Sequence, residues 1–305
     1  MDALYRFPAE DARWQQHLHE EGFVVLAGVL SPEEVDVGKD LLWTDLEAAY
    51  GISRESPESW KKWPLSKTGL NTMITQDPGA WYVRACPGIK NAFAEIWQSS
   101  ELIVSMDALI IWRPWWLDAT WLPCTEGLHL DQNPFSKPDL ETVQGMVPLM
   151  HVTAATGGLE VVPRSHTAEA KAQLCQDFPH LRSCGDWCPL FRRYEDAMLL
   201  HAEPGDLVLW DSRTIHGGRV GNGHIGQVDA VPQTVNLARL SVTVAMVPRE
   251  RAAPEVLEAR RQGFMKGRTF NHSPHEAGSS SGTLASRSQK HHSLTELSES
   301  QLALL

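Results

Sequence analysis

Residues 127–134 read GLHLDQNP, and this stretch decides how the rest of the chain is interpreted. His129 and Asp131 are two residues apart, and side chains alternate between the two faces of a β-strand. An imidazole and a carboxylate at this spacing therefore point the same way from one strand. Two histidines and one carboxylate form the face that holds non-heme Fe(II) while leaving coordination positions open. The stretch thus predicts a strand that supplies two of three iron ligands.

The third ligand would come from a distant strand, and His216 is the candidate. The turn at residues 204–206 and the apolar run at 207–210 predict a strand that leads up to this histidine. Gly217 and Gly218 follow it and would let another backbone approach closely. A hydrogen-bonded structural role is the alternative for either histidine.

Two other groups of ligand-type residues compete with this set. His201 and Glu203 have the same spacing, but they lie directly before the turn at 204–206 rather than along a strand. The second group consists of Cys175, His180, Cys184 and Cys188. Its spacing fits no compact zinc pattern, and reduced thiols in a loop-rich insert are the simpler interpretation of an odd number of cysteines.

Arg239 and Ser241 share one face of a strand that the run at residues 239–244 predicts. An arginine that points into a protein core must be paired, because an isolated buried charge is strongly destabilising. A small dicarboxylate would supply the partner, since a guanidinium holds a carboxylate through two parallel hydrogen bonds and a hydroxyl adds a third. A salt bridge to an internal Asp or Glu is the alternative. Arg219 competes as the anchor because it lies close to His216.

Composition narrows the class of protein. The chain has 305 residues, of which 42% are hydrophobic and 21% charged, so it can bury a sizeable core. Its formal net charge of −11 is unfavourable for binding nucleic acid or an anionic membrane. No apolar run reaches the length of a membrane span, and neither a signal peptide nor a C-terminal peroxisomal signal is recognisable. We therefore expect a soluble cytoplasmic protein whose partner is a small-molecule substrate, and composition predicts no oligomeric state.

The pattern of elements predicts the fold class. The sequence SPEE at residues 31–34 predicts a helix start, with Ser31 as N-cap and Glu34 closing a capping box, and Gly51 ends that helix. From residue 102 onward, short β-rich runs are bounded by Gly and Pro. Many short strands without alternating helices predict a mainly β fold, an antiparallel barrel or jelly roll, with the N-terminal helices packed on it.

We expect a single domain over residues 1–270. It comprises a helical N-terminal part at about 1–100 and a jelly-roll core at about 101–250. Within the core, residues 164–204 form a long polar insert, a feature that is usually functional or disordered. Residues 271–305 are rich in Ser and His, and a flexible tail is predicted there.

The chain resembles the phytanoyl-CoA dioxygenase-like branch of the Fe(II)/2-oxoglutarate oxygenases. The resemblance rests on an ordered set of motifs: His129-x-Asp131, GGLEVVPRSH at 157–166, the segment from residue 204 to His216, and Arg239-x-Ser241. WYVR at 81–84 and the segment from Ser105 to Pro114 also look like recurring blocks of that branch. The resemblance implies a double-stranded β-helix, the jelly roll also found in cupins. It further implies Fe(II) held by His129, Asp131 and His216, and 2-oxoglutarate anchored by Arg239 with Ser241.

The implied activity is oxidation of an unactivated C–H bond of a small molecule, with O2 consumed and succinate and CO2 released. Hydroxylation is the usual outcome in this class, and desaturation and oxidative cyclisation remain open. Asp131 fills the position that related halogenases leave for chloride, so halogenation is not expected. Arg84, Asp107 and Gln144 are polar residues in or beside apolar segments and are candidates for substrate contacts, with structural roles as the alternative.

Two other classes of function remain open. One is a catalytically silent small-molecule binder or sensor of the same fold, against which the intact ligand set argues. The other is a cupin-type metalloenzyme that does not use 2-oxoglutarate. Arg239 discriminates between the possibilities, because an arginine that faces the metal supports the cosubstrate, whereas one paired at the surface does not.

Overall fold

The structure, a computed structural model, describes residues 4–64, 67–224, 235–276 and 295–305. Its α-helices are α1 (Arg13–Glu21), α2 (Pro32–Tyr50), α3 (Pro78–Arg84), α4 (Pro87–Trp97), α5 (Ala168–Asp177), α6 (Pro254–Met265) and α7 (Glu299–Leu302). Its β-strands are β1 (Arg6–Pro8), β2 (Phe23–Ala27), β3 (Leu70–Asn71), β4 (Leu102–Val104), β5 (Leu109–Trp112), β6 (His129–Leu130), β7 (Val143–Pro148), β8 (Gly157–Val161), β9 (Cys188–Pro189), β10 (Met198–Leu199), β11 (Leu207–Asp211), β12 (His216–Val220) and β13 (Arg239–Pro248). In this described part of the chain, no helix combines the length and the hydropathy that crossing a membrane requires.

The helix α2 begins and ends where the local sequence predicts. The Ser31 hydroxyl accepts a hydrogen bond from the backbone N–H of Glu34, whose carboxylate accepts one from the backbone N–H of Ser31. Gly51 ends the helix with a φ of 63°, a left-handed conformation that glycine adopts without steric penalty. Both predicted ends of this helix are confirmed.

The strands form two sheets. The larger has the order β1-β2-β11-β7-β13-β5-β3, with β4 also paired to β13, and the smaller has the order β10-β8-β12-β6-β9. Among the described strands, β1 and β2 pair in parallel and the other pairings are antiparallel. This arrangement, with helices added to it, confirms the predicted mainly β fold with a jelly-roll core. The strands β1, β2 and β3 come from the N-terminal part at about 1–100 and belong to the larger sheet.

The two sheets face each other across an apolar layer. In this layer Met146 and Val208 of the larger sheet pack with Val161 of the smaller sheet. The opposite face of the larger sheet is covered by the N-terminal helices, where Leu42 belongs to the same buried cluster as Leu209. Because both faces of its central strands are covered, β7 and β11 are buried along their whole length. Side chains that point between the sheets are therefore held by rigid strands.

The polar insert predicted at residues 164–204 is built into the smaller sheet. Its strand β9 pairs with β6, and its strand β10 pairs with β8. Leu174 and Leu181 of the insert pack with Leu130 and Val162 in a separate apolar cluster. The insert therefore backs the strands from which two of the predicted metal ligands come.

The end of the chain packs against the core, whereas a flexible tail was expected over residues 271–305. Leu304 and Leu305 are buried, and the Arg260 guanidinium donates hydrogen bonds to their carbonyl oxygens at 3.2 and 3.1 Å. Composition does not reveal this docking, because the partners are distant in sequence. Residues 277–294 of the predicted tail lie outside the described residues, and the predicted domain boundaries stay a prediction.

Docking of the C-terminal end is testable with two leucines that differ in burial. Leu304 is 1% exposed and Leu302 is 53% exposed. We expect Leu304→Ala to lower the free energy of unfolding by about 2–4 kcal/mol, because it leaves a cavity in a packed cluster. Leu302→Ala should change it by less than about 0.5 kcal/mol. Urea unfolding followed by tryptophan fluorescence measures both, and equal small effects would show that the end of the chain does not pack as described.

Candidate metal centre

The pairing of β6 with β12 places His129 directly opposite His216. Their ring centroids are 4.6 Å apart. The Nδ1–H of His129 donates to the Gly127 carbonyl and that of His216 to the Thr214 carbonyl, each at 2.9 Å. Since each Nδ1 carries the proton, each Nε2 keeps its lone pair for a metal ion.

Asp131 completes the group at the end of β6. One carboxylate oxygen of Asp131 lies 3.2 Å from Nε2 of His216, and the other lies 3.7 Å from Nε2 of His129. One ligand atom from each of these three residues falls within 4.8 Å of the others. In the described part of the chain, this is the only such group of His, Cys, Asp or Glu. The structure therefore brings together the three residues that the sequence predicted as metal ligands.

The protonation states of the group suit a divalent cation. Burial lowers the pKa of His129, so that imidazole is neutral at neutral pH. Burial by itself would raise the pKa of Asp131, but His272, His129 and His216 together hold it well below its usual range. Two imidazoles beside an ionised carboxylate are the ligand set that iron enzymes of the facial-triad type use.

Two neighbours support the geometry of the ligands. The Gln144 amide donates a hydrogen bond to Asp131 at 3.2 Å, which orients the carboxylate. A Cβ atom at Gly217 would collide with the carbonyl oxygen of Gly127, the acceptor that orients His129. The close approach predicted at this glycine is therefore confirmed. The Gln144 side chain contacts one of the predicted metal ligands.

The three residues line a cavity of about 550 Å³ between the two sheets. Its apolar and aromatic walls include Ile110, Trp112, Met146, Leu159, Trp187, Trp210 and Phe270. Its polar lining includes Thr68, Thr72, Ser105, Asp107, Glu126, Gln144, Asp186, Arg239, Thr243, Asn271 and His272. A cavity of this size, mostly apolar with a few placed polar groups, is typical of a small-molecule site.

Arg239 lines this cavity, is 3% exposed and has no carboxylate partner among the described residues. Burial lowers its pKa to about 9, so the guanidinium remains charged at neutral pH. It lies 4.6 Å from the Trp112 ring and donates to the Met146 sulfur at 3.0 Å, while its Nε–H has no acceptor. The hydroxyl of Ser241, two residues along the strand, is also buried without a partner. The internal salt bridge considered as an alternative for Arg239 is not observed in the described residues.

The competing residues lie elsewhere. Arg219 is paired with Glu160 at 2.5 Å, its side chain is 41% exposed, and it lines a separate surface cavity. Glu203 pairs with His151 at the surface, and His201 is exposed. The cysteines of the insert belong to no group of three or more ligand-type residues in the described part of the chain. These alternatives are therefore not supported.

Of the three predicted substrate contacts, Asp107 and Gln144 line the cavity and Arg84 does not. Arg84 is fully buried and donates to the carbonyl oxygens of Thr75, Asp107 and Thr243, which makes it a structural residue. His272 was missed, although its Nε2–H donates to the Asp131 carbonyl at 3.3 Å. The sequence carries no local signal for it, because it falls in the segment predicted to be a tail.

A jelly roll with two histidines and one carboxylate facing a cavity is the arrangement typical of non-heme, metal-dependent oxygenases. The model of the phytanoyl-CoA dioxygenase (PhyH) family matches residues 18–220, which is more than half of the chain. The chain therefore belongs to this family, and it is an oxidoreductase of the dioxygenase type. Iron and 2-oxoglutarate are the cofactor and cosubstrate of the class, and the family identified from the sequence motifs is confirmed.

Individual relatives are more distant. The Ava biosynthesis cluster protein O of Aspergillus versicolor is 27% identical over 285 residues, which cover 86% of each chain. SnoK, described as a non-heme α-ketoglutarate-dependent carbocyclase from nogalamycin biosynthesis, is 16% identical, with a TM-score of 0.50 over 78% of this chain and 85% of its own. SnoN, an epimerase crystallised with Fe3+, α-ketoglutarate and nogalamycin RO, is 18% identical, with a TM-score of 0.49 over 77% and 81%. At this identity the SnoK structure shows similarity of fold alone.

The role of Gln144 in orienting Asp131 is testable by substitution. We expect Gln144→Leu to weaken binding of Fe(II) at least about tenfold, because the carboxylate loses the donor that fixes its orientation. Anaerobic competition with a chelator of known affinity measures the change. The exposed Gln262→Leu serves as the matched control and should bind Fe(II) as the wild type does. Unchanged affinity in the Gln144 variant would show that this hydrogen bond does not support the ligand.

Proposed function

We propose that this protein binds Fe(II) through His129, Asp131 and His216 and uses 2-oxoglutarate and O2 to oxidise an unactivated C–H bond of a small molecule. The main support is Arg239, a buried guanidinium that has no carboxylate partner among the described residues and lines the same cavity as the predicted metal ligands. An unpaired buried charge lowers the stability of the folded protein considerably unless a ligand neutralises it. A dicarboxylate cosubstrate meets that requirement.

The donor set fits iron. Two neutral imidazoles and one carboxylate leave a bound Fe(II) ion with one net positive charge and with coordination positions for other ligands. Iron and 2-oxoglutarate together supply the O2-dependent oxidation of a C–H bond, with release of succinate and CO2. The chain's own contribution is to fix both Nε2 atoms and the Asp131 carboxylate, through the Gly127 and Thr214 carbonyls and the Gln144 amide.

The groups around Arg239 fit a carboxylate. The unused Nε–H of Arg239 and the buried Ser241 hydroxyl are donors without acceptors among the described residues. A carboxylate of 2-oxoglutarate would accept from both, and the guanidinium would neutralise its charge. The guanidinium carbon lies 4.6 Å from the centroid of the Trp112 ring, a cation–π contact that leaves the Nε–H for the ligand. We therefore assign the cosubstrate anchor to Arg239 with Ser241.

The substrate is proposed to be a small molecule of a biosynthetic pathway. The cavity volume of about 550 Å³ supports this, as does the name of the relative from Aspergillus versicolor, a protein of a biosynthesis cluster. The outcome is hydroxylation, desaturation or oxidative cyclisation, and SnoK, a carbocyclase, has a similar fold. The complete ligand set argues against a silent binder, and Arg239 argues against a cupin-type enzyme without 2-oxoglutarate.

The cosubstrate anchor is tested with Arg239 and Arg219 as a matched pair. To anaerobic protein we would add Fe(II) and then 2-oxoglutarate, and record the weak visible charge-transfer band that such chelates give. We expect Arg239→Met to weaken 2-oxoglutarate binding by about a hundredfold or more, because the cosubstrate carboxylate loses its buried ionic partner. Binding of Fe(II) itself should be unchanged in this variant. Arg219→Met should bind 2-oxoglutarate as the wild type does.

Loss of the band in Arg219→Met, with retention in Arg239→Met, would reverse the assignment of the anchor. Absence of the band from the wild-type protein, although Fe(II) binds, would contradict the proposed function and favour a metalloprotein that does not use 2-oxoglutarate. Succinate release during aerobic turnover then identifies substrates from a panel of small molecules.

A further inference from the structure

We propose that the indole N–H of Trp210 binds the cosubstrate beside the metal centre, where it donates a hydrogen bond to the carboxylate at the oxo acid end of 2-oxoglutarate. Arg239 then holds one end of the cosubstrate and Trp210 the other. This inference rests on the function proposed above and adds a binding residue to the same site.

Two buried side-chain donors of the cavity lining have no acceptor among the described residues. They are the Nε–H of Arg239 and the indole N–H of Trp210. A buried donor without an acceptor is destabilising, and nearly all such groups in native proteins have a partner. Because the proposed anchor assigns the Arg239 donor to one carboxylate of the cosubstrate, the Trp210 donor is the one that still needs an acceptor.

Trp210 differs from the other tryptophans that line the cavity. The indole N–H of Trp112 donates to the Thr68 carbonyl at 3.0 Å. Trp187 is 42% exposed, so its side chain is open to water, whereas Trp210 is 5% exposed. Of these indoles, that of Trp210 is therefore the one whose hydrogen bond a bound ligand would supply.

Trp210 lies beside the predicted metal ligands. Its ring centroid is 5.3 Å from that of His216. It also faces Gln144 across the pairing of β11 with β7, and the Gln144 amide donates to Asp131. Because β11 is buried along its whole length, a rigid strand fixes the indole near these ligands.

Arg239 belongs to a different part of the larger sheet. Gln144 faces Ala245 on β13, whereas Arg239 is the first residue of that strand and faces Trp112 on β5. The backbone positions of the two donors are therefore separated along the sheet. 2-Oxoglutarate has a carboxylate at each end, and the end with the oxo group is the one that chelates a metal ion. A donor beside the metal ligands therefore fits the oxo acid end, and Arg239 fits the other.

An indole N–H suits this position chemically. It donates a hydrogen bond and accepts none, and it carries no charge. A carboxylate bound to a metal ion already has part of its charge balanced. A neutral donor can therefore orient that carboxylate without placing a second cation beside the metal ligands, and a hydrogen bond to an ionised acceptor is one of the stronger kinds.

The hydrogen bond is tested by nuclear magnetic resonance of the wild-type protein loaded with Zn(II), a diamagnetic ion that histidine and aspartate also bind. The protein has 12 tryptophans, and Trp210→Phe identifies the indole signal of Trp210 by its loss. We expect this proton signal to move downfield when 2-oxoglutarate is added, because a carboxylate acceptor deshields the proton. 2-Oxobutyrate, which has the same oxo acid end but no second carboxylate, should move it in the same direction, and glutarate, which lacks the oxo group, should not.

The strength of the hydrogen bond is measured by anaerobic titration of the Fe(II)-loaded protein with 2-oxoglutarate. Trp210→Phe keeps an aromatic ring and removes the N–H. We expect it to weaken 2-oxoglutarate binding about tenfold, with Fe(II) binding unchanged, because a hydrogen bond to a charged group is lost. The matched control Trp97→Phe removes an indole N–H that donates to the Met246 carbonyl at 2.7 Å, outside the cavity lining, and it should bind 2-oxoglutarate as the wild type does.

A Trp210 signal that stays in place on addition of 2-oxoglutarate, or wild-type affinity in Trp210→Phe, would overturn the inference while the proposed function stands. The indole would then only pack against the His216 ring. A response to glutarate but not to 2-oxobutyrate would assign the donor to the other carboxylate and would also overturn it. If Trp210→Phe does not fold, the wild-type spectrum still decides, because no downfield movement of any indole signal would have the same meaning. Absence of the visible band of the 2-oxoglutarate chelate from the wild type would overturn both the inference and the proposed function.

Discussion

The register between β6 and β12 is the constraint on which the metal centre depends. It sets His129 opposite His216, and the backbone carbonyls of Gly127 and Thr214 then fix the tautomer and the ring orientation of each histidine. A shift of one residue in this pairing would turn the histidine of the shifted strand to the other face of the sheet. The insert contributes to holding the register, because β9 pairs with β6 on the side away from β12. The two histidines are thus positioned by strands, and Asp131 directly follows β6.

Among the described residues Arg239 is buried without a counter-ion, which opposes stability, and we propose that a cosubstrate carboxylate offsets this. The guanidinium contacts the Trp112 ring and donates a hydrogen bond to the Met146 sulfur, but neither group neutralises its charge. Folded proteins pair buried charges where they can, and Arg219 at the surface shows the usual solution in its ion pair with Glu160. This difference between the two arginines is the reason for proposing Arg239, and not Arg219, as the cosubstrate anchor.

The cavity is assembled from parts of the chain that are far apart in sequence. The larger sheet contributes Gln144 and Arg239, the smaller sheet contributes the histidine ligands, the insert contributes Trp187, and the segment after α6 contributes His272. The parts supply different kinds of side chain, which include the predicted metal ligands, aromatic rings and polar groups. The insert and the C-terminal segment line the same cavity as the two sheets, so changes in them could alter substrate selection without changing the predicted metal ligands.

The sequence by itself determined what depends on short spacing. A period of two predicted that His129 and Asp131, and likewise Arg239 and Ser241, point the same way. The capping box and Gly51 predicted the two ends of α2. All of these are interactions within a few residues. The approach of His216 to His129 was inferred from motif order, and only the tertiary structure showed it. Arg84 and His272 were beyond local reasoning: the partners of Arg84 lie on three separate segments, and His272 reaches the cavity through the docking of a segment whose composition resembles a flexible tail. Burial and long-range partners decide such roles, and neither is encoded in a local pattern.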